Sequence, residues 1–204
     1  MDLNRINTEF GRDPQRLTAW ALSLGRNAVV STSFGPFAAV TLHLATRVQS
    51  DVPVIWVDAG YSTAAMYRFA DELTALLKLK LHIVRPRRSR AHREAADGPL
   101  PLLGDPRHIE FTREVKLEPF DRAMSELKAG VWITGVRGEE TAERAAMQPV
   151  AMTANGIIKV APVLHWTSKQ MSDYLKRHSL PNNFDYVDPT KVEDSRECGL
   201  HLAP

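Results

Sequence analysis

The chain has 204 residues, of which 44% are hydrophobic and 25% are charged. This length indicates one domain with a short tail, and the apolar fraction suffices for a core, which argues against wholesale disorder. The net charge is only +2, so nucleic acid or an anionic membrane is not expected as a partner.

Apolar runs and helix-spaced apolar residues alternate along most of the chain. Asp13-Pro14 is typical of a helix cap and first turn, and Gly25 ends that helix. Residues 85–112 lack periodicity and are predicted to form a long surface loop with one helical turn. Further helices are predicted at 38–48, 62–77, 117–128 and 168–178, and strands at 28–31, 53–57, 81–84, 131–134, 149–153 and 157–160.

This alternation predicts an α/β fold, a parallel sheet with helices on both faces. Asn155-Gly156 lies between the last two strands and favours a hairpin there. We predict one domain over residues 1–180. Residues 181–204 are polar and rich in Pro, Asn and Asp, and are predicted to form a flexible C-terminal tail.

Two loops are predicted at the carboxyl edge of this sheet, where α/β proteins bind ligands. Ser31-Thr32-Ser33-Phe34-Gly35 follows the first strand, and its hydroxyls and backbone N–H groups suit an anion. The Walker lysine is absent, and a plain strand-to-helix turn is the alternative. After the second strand, Asp58 and Gly60 are consistent either with a contact to a ribose hydroxyl or with a helix cap.

Arginines are concentrated in two segments. Arg137 and Arg144 are seven residues apart, which places them on one helix face suited to phosphate or sulfate, or on a solvated face paired with Glu140 and Glu143. The run from Arg85 to Arg93 has no interleaved aromatic residues, so it favours a solvated loop over a nucleic-acid surface. The histidines show no metal-ligand spacing, and no metal site is predicted.

Cys198 is the one cysteine of the chain, so no internal disulfide can form and no cluster can be ligated by several thiolates. This fits a reducing cytoplasm, and neither a membrane span nor a secretory signal is predicted. Arg196 and His201 flank Cys198 and would favour its thiolate, which makes it either a reactive nucleophile or an inert terminal thiol.

Glu-Cys-Gly-Leu-His near the C-terminus resembles the signature of the sulfonucleotide reductases, which act on phosphoadenylyl sulfate (PAPS) or adenylyl sulfate (APS). Other segments resemble motifs of the same family in matching order, so the resemblance covers most of the chain. These segments are Ser31–Gly35, Val57–Tyr61, Lys116–Pro119 with Arg122-Ala123, Gly135–Ala145 and Lys159–Pro162.

The resemblance implies an adenine nucleotide α-hydrolase-like, Rossmann-like fold. It implies a cytoplasmic enzyme of sulfate assimilation and cysteine biosynthesis that reduces PAPS to sulfite and adenosine 3′,5′-bisphosphate. The Cys198 thiolate would carry an S-sulfocysteine intermediate, and thioredoxin or glutaredoxin would release sulfite. The residues implied to hold the substrate are Ser31, Ser33, Gly35, Asp58, Gly60, Arg137, Arg144, Lys159, Arg196 and His201.

The cysteine pairs that hold an iron–sulfur cluster in APS-type members are missing near Phe111-Thr112 and near Asp188–Thr190. No bound cofactor is therefore expected, and the PAPS-type assignment is favoured. Gly138 replaces the second arginine of many PAPS-type members, and the tail is shorter than the usual one. A homodimer would be one way to complete the site.

Three alternatives stay open at this point. The chain could be a cluster-free APS reductase, or an ATP pyrophosphatase-type sulfur-modification enzyme. The third is a non-catalytic nucleotide-binding module.

Overall fold

In the computed structural model, which describes residues 1–102 and 104–191, one six-stranded sheet organises the chain. Its strand order is β3-β2-β1-β4-β6-β5, and all neighbours are parallel except the antiparallel pair of β5 and β6. The order reverses between β1 and β4, so a crevice is expected at the carboxyl ends of these two strands. The strands are β1 Ala28–Thr32, β2 Pro53–Val57, β3 Lys80–Val84, β4 Val131–Thr134, β5 Val150–Met152 and β6 Ile158–Val160.

Helices connect the strands and cover the sheet on both faces. Side-chain caps begin several of them: the Asp13 carboxylate accepts from the Arg16 N–H, and the Thr63 hydroxyl accepts from the Met66 N–H. The helices are α1 Leu3–Phe10, α2 Pro14–Ser23, α3 Ala38–Val48, α4 Ala64–Leu77, α5 Arg90–Asp97, α6 Arg107–Thr112, the π-helical turn Arg113–Leu117, α7 Glu118–Glu126, α8 Ala142–Ala145 and α9 Ser168–Arg177.

The central strands are buried on both faces because their side chains alternate between two apolar cores. Val30 and Val54 face the larger core, formed with α2, α3, α4 and α9. Val29 and Ile55 face the smaller core, where Phe120 of α7 packs. The fold class predicted from the sequence is confirmed, as is the hairpin of β5 and β6.

The prediction for residues 85–112 was wrong, since they form α5 and α6 and not a long loop. The apolar residues of α5 are the alanines Ala91, Ala95 and Ala96, so no large apolar side chains repeat along it to indicate a helix. Its stability comes from the Ser89 cap, the Arg90–Glu94 ion pair and the burial of Arg93. Likewise, α1 precedes the first predicted helix, and its Asn7 amide bonds the β5 backbone.

Within the described residues, no helix is long and apolar enough to cross a membrane. The same part of the chain holds no group of three or more His, Cys, Asp or Glu side chains placed to bind a metal ion. Cys198, Arg196 and His201 lie outside the described residues. The division into a domain and a tail at residue 180 therefore stays a prediction.

Candidate functional site

A cavity of about 510 Å³ opens at the carboxyl edge of the sheet, where β1, β2 and β4 end. Its size is within the range of small-molecule sites, and it lies where the strand order reverses. The loops after β1, β2 and β4 line it, together with Val115, Lys116, Phe120 and residues 186–191.

The end of β1 and the loop after it, together residues 31–37, turn sharply into α3. Phe34 (φ 51°) and Phe37 (φ 64°) both adopt left-handed backbone conformations, which are strained for residues other than glycine. Phe34 is fully buried and packs edge-on against Trp56, with 5.0 Å between the ring centroids, so core packing stabilises the turn. The turn places Ser31, Ser33 and Gly35 along the cavity, in front of α3.

In the loop after β2, residues 58–62, the Asp58 carboxylate stabilises the conformation of the loop itself. Asp58 is 5% exposed, and its carboxylate accepts from the Gly60 N–H (3.0 Å), the Tyr67 hydroxyl (2.8 Å) and Arg85 Nε (3.1 Å). Burial and the Asp58 carboxylate raise the pKa of the Tyr67 phenol. Neither Asp58 nor Gly60 lines the cavity, whereas Ala59 and Tyr61 do.

The loop after β4, residues 135–141, and the short helix α8 that follows it bring two buried guanidinium groups to the cavity. Arg137 is 8% exposed and Arg144 is 4% exposed, and Glu140 pairs with both. Arg137 also bonds Glu139 (2.9 Å) and lies 5.0 Å from the Phe37 ring centroid. Burial lowers the pKa of Arg137, and Glu139 opposes this shift.

The seven-residue spacing of the two arginines predicts a shared helix face, but they do not share one. α8 contains Arg144 but begins only at Ala142, so Arg137 lies in the preceding loop. The Thr141 cap of α8 turns the chain and brings both side chains to the same cavity. Of the solvated-face alternative, the pairing with Glu140 is present, but both guanidinium groups are buried, so the face is not solvated.

Lys159, like Asp58 and Gly60, does not line the cavity. It is a buried residue of β6, and its ammonium lies 5.1 Å from the ring centroid of Trp132 on β4. The Trp132 indole donates to the Ser31 hydroxyl at 2.8 Å. Lys159 is thus connected to the loop after β1 through Trp132, and it is not among the residues that line the cavity.

Lys116 is a positively charged residue that lines the cavity. It belongs to the Lys116–Pro119 motif, but no binding role is predicted for it from the sequence. It lies in the π-helical turn, a rare conformation that is frequent at functional sites. Its ammonium forms an ion pair with Asp188 and lies 3.3 Å from the Thr190 hydroxyl. The sequence feature that could have indicated Lys116 is the Lys116–Pro119 segment, in which the lysine shortly precedes a proline in the first turn of α7.

Residues 181–191, called the strap below, contain no helix or strand but pack across the cavity mouth. Asn182 accepts from the Phe37 N–H at 2.8 Å, and the Tyr186 ring lies directly over Gly35. Asp188 accepts from the Thr190 N–H and hydroxyl, and Thr190 is 1% exposed. The strap therefore closes one side of the cavity.

The charge state of Asp188 is set by competing effects. Burial by itself would raise its pKa, but the Lys116 ammonium and the hydrogen bonds from Lys116 and Thr190 lower the pKa below its ordinary value. Asp188 is thus an ionised, buried anchor that holds the strap against the π-helical turn.

Comparisons with known proteins agree on one family. The family model of the phosphoadenosine phosphosulfate reductase domain matches residues 27–185. A phosphoadenosine 5′-phosphosulfate reductase of Synechocystis is 37% identical and covers 99% of this chain and 91% of its own. One from Synechococcus is 38% identical, with 98% and 97% covered.

Solved structures support the same fold. The phosphoadenylyl-sulfate reductase of Candida auris superposes with a TM-score of 0.77 at 24% identity, over 88% of this chain and 87% of its own. The FMN adenylyltransferase of Candida glabrata superposes with a TM-score of 0.57 at 14% identity, over 79% and 54%. The adenine nucleotide α-hydrolase-like architecture expected from the sequence is therefore confirmed.

Proposed function

The chain belongs to the phosphoadenosine phosphosulfate reductase family, and on this premise we propose that it reduces PAPS to sulfite and adenosine 3′,5′-bisphosphate. The observation that carries the proposal is the cavity at the carboxyl edge of the sheet. Lys116, Arg137 and Arg144 line one small volume there, opposite the loop of residues 31–37. A substrate with a phosphosulfate and a second phosphate needs such a concentration of cations.

Within this cavity, the cations would hold the substrate and stabilise the leaving group. Buried guanidinium groups bind phosphate oxygens in a fixed, two-pronged geometry, and they act more strongly here than in water. Glu139 and Glu140 hold the Arg137 guanidinium group in place before a ligand binds. Arg137 and Arg144 would thus offset the negative charge that grows on the phosphate as the sulfur–oxygen bond breaks.

The nucleophile would be the Cys198 thiolate, which follows the strap in the chain. Its sulfur attacks the sulfuryl sulfur, a sulfur–sulfur bond forms, and the bond from that sulfur to the phosphate oxygen breaks with its electron pair leaving on the nucleotide. A dithiol reductant of the thioredoxin or glutaredoxin class then attacks the Cys198 sulfur and expels sulfite. Its second thiol resolves the mixed disulfide and restores the Cys198 thiolate.

The strap sets the starting point of this cysteine segment. Thr190 is anchored beside Lys116, and Cys198 is eight residues further along the chain. A chain of that length spans at most about 29 Å when extended. This reach is enough for the thiol to meet a substrate in the cavity.

The test is anaerobic incubation with PAPS or with APS and no reductant, followed by intact-mass measurement. We expect one SO₃ adduct on Cys198 with PAPS, and sulfite release on adding reduced thioredoxin. Cys198→Ser should form no adduct and no sulfite, while its affinity for adenosine 3′,5′-bisphosphate stays within about twofold of that of the wild type.

Other outcomes would redirect or end the proposal. An adduct with APS alone would assign the chain to the cluster-free APS reductases. Tight nucleotide binding without an adduct would favour the non-catalytic module. Sulfite production by Cys198→Ser would overturn the thiol mechanism.

A further inference from the structure

Phe37 begins α3 with a residue type and a backbone conformation that are both locally unfavourable. It is the N-cap residue of the helix, where a hydrogen-bonding side chain is preferred, and its side chain caps no N–H group. Its φ of 64° is left-handed, which is unfavourable for a residue with a Cβ atom. Such strain persists only where the surroundings hold it, so the contacts of the ring need an explanation.

The ring of Phe37 lies against one of the two buried guanidinium groups of the cavity. The guanidinium carbon of Arg137 lies over the ring, 5.0 Å from its centroid. Phe37 and Arg137 are each 8% exposed, and a cation–π contact is strongest when both partners are shielded from water. The ring thus limits the movement of a guanidinium group that also donates to Glu139 (2.9 Å) and to the Ser168 hydroxyl (3.0 Å).

The strap holds Phe37 in this position. The Phe37 N–H donates to the Asn182 side chain at 2.8 Å. The ring of Phe184 packs perpendicular to the ring of Phe37, with 6.0 Å between the centroids. Because Asn182 and Phe184 both belong to the strap, Phe37 connects the closed mouth of the cavity to the Arg137 guanidinium group.

We propose that Phe37 is a positioning residue whose ring holds the Arg137 guanidinium group where it meets the phosphate of the adenosine phosphosulfate. This inference rests on the proposed function. Negative charge grows on that phosphate as the sulfur–oxygen bond breaks, so a displaced guanidinium group loses more stabilisation in the transition state than in the ground state. Loss of the ring is therefore expected to lower kcat more than it raises KM.

The test compares variants at position 37 that remove the aromatic ring with one that keeps it. Phe37→Leu and Phe37→Met keep a large apolar side chain, and we expect kcat for PAPS reduction to fall about tenfold while KM rises less than threefold. Phe37→Tyr keeps the ring and should retain kcat within about twofold of the wild-type value. Sulfite release at saturating reduced thioredoxin would measure both constants.

A double-mutant cycle with Arg137→Ala separates positioning from core packing. If the ring acts through the guanidinium group, Phe37→Leu should change kcat less than about twofold once Arg137 has been replaced. Phe69→Leu is the control, because Phe69 is a similarly buried ring of the same core (5% exposed) that does not line the cavity. That variant should lower Tm while kcat stays within about twofold of the wild-type value.

The outcomes distinguish this inference from the proposed function. If the wild-type chain reduces PAPS and Phe37→Leu and Phe37→Met keep kcat within twofold, the inference is overturned and the proposed function stands. It is equally overturned if Phe37→Leu lowers kcat as much in the Arg137→Ala variant as in the wild type, or if Phe37→Tyr is as impaired as Phe37→Leu. A wild-type chain that neither binds nor reduces PAPS overturns both.

Discussion

The loops after β2 and β4 face the same cavity but use their charged groups differently. After β2, the Asp58 carboxylate is occupied by the loop's own Gly60 N–H, by Tyr67 and by Arg85, and it does not line the cavity. After β4, Arg137 and Arg144 are also paired, yet their side chains form part of the cavity wall. A charged residue at the end of a strand can therefore be fully paired and still form part of the cavity wall. What separates the two loops is whether the charged side chain borders the cavity, not whether it is paired.

The largest effect is expected in the loop after β4. Arg144→Ala should lower kcat/KM for PAPS about 100- to 1000-fold, because a buried cation that stabilises the leaving phosphate is lost. Steady-state kinetics with thioredoxin would measure it. Arg113→Ala is the matched control, since that arginine is 67% exposed and pairs with Glu110 on the surface. A loss below tenfold for Arg144→Ala would show that this loop, too, is only structural.

An intermediate effect is expected in the strap, where Asp188 both stabilises the strap through its ion pair with Lys116 and lines the cavity. Asp188→Asn removes the carboxylate that pairs with Lys116, so it should lower kcat/KM about 10- to 30-fold and destabilise the chain by about 3 kcal/mol at pH 7. Hydrogen exchange should show lost protection at the Thr190 amide and unchanged protection at Val54.

The same variant has a defined pH dependence. The pKa of Asp188 is lower in the folded chain than in the unfolded one, so its stabilising contribution is complete above about pH 4 and is lost as the pH falls further. Urea unfolding at pH 7 and pH 3 should show the gap between wild type and variant narrowing in acid. Asp173→Asn, in the exposed pair with Lys169, should show almost no gap at either pH.

The smallest effect on activity is expected in the loop after β2. Asp58→Asn should destabilise the chain by about 1–2 kcal/mol, since the amide still accepts from Gly60 and Tyr67 but presents a donor to Arg85. KM should change less than fivefold. Thermal unfolding and kinetics would measure both, with the exposed Asp71 as the control site. A 100-fold loss of activity would instead favour the ribose contact for Asp58.

The sequence was sufficient for the sheet because its central strands are apolar on both faces and its strands are bounded by turn residues. It did not indicate α5, whose one buried side chain is the charged Arg93. The roles of Asp58 and Lys116 stayed undecided for a similar reason. Their partners Arg85 and Asp188 lie 27 and 72 residues away, so pairing depends on tertiary contacts that spacing does not encode.

The Tyr186 ring resting on Gly35 has a consequence for how this chain can vary. A Cβ atom at position 35 would lie 3.0 Å from two ring carbons, so even alanine there requires the ring to shift. Related sequences that replace the glycine should therefore carry a smaller side chain at the position of Tyr186. The two sites, 151 residues apart, are expected to covary as a size-matched pair.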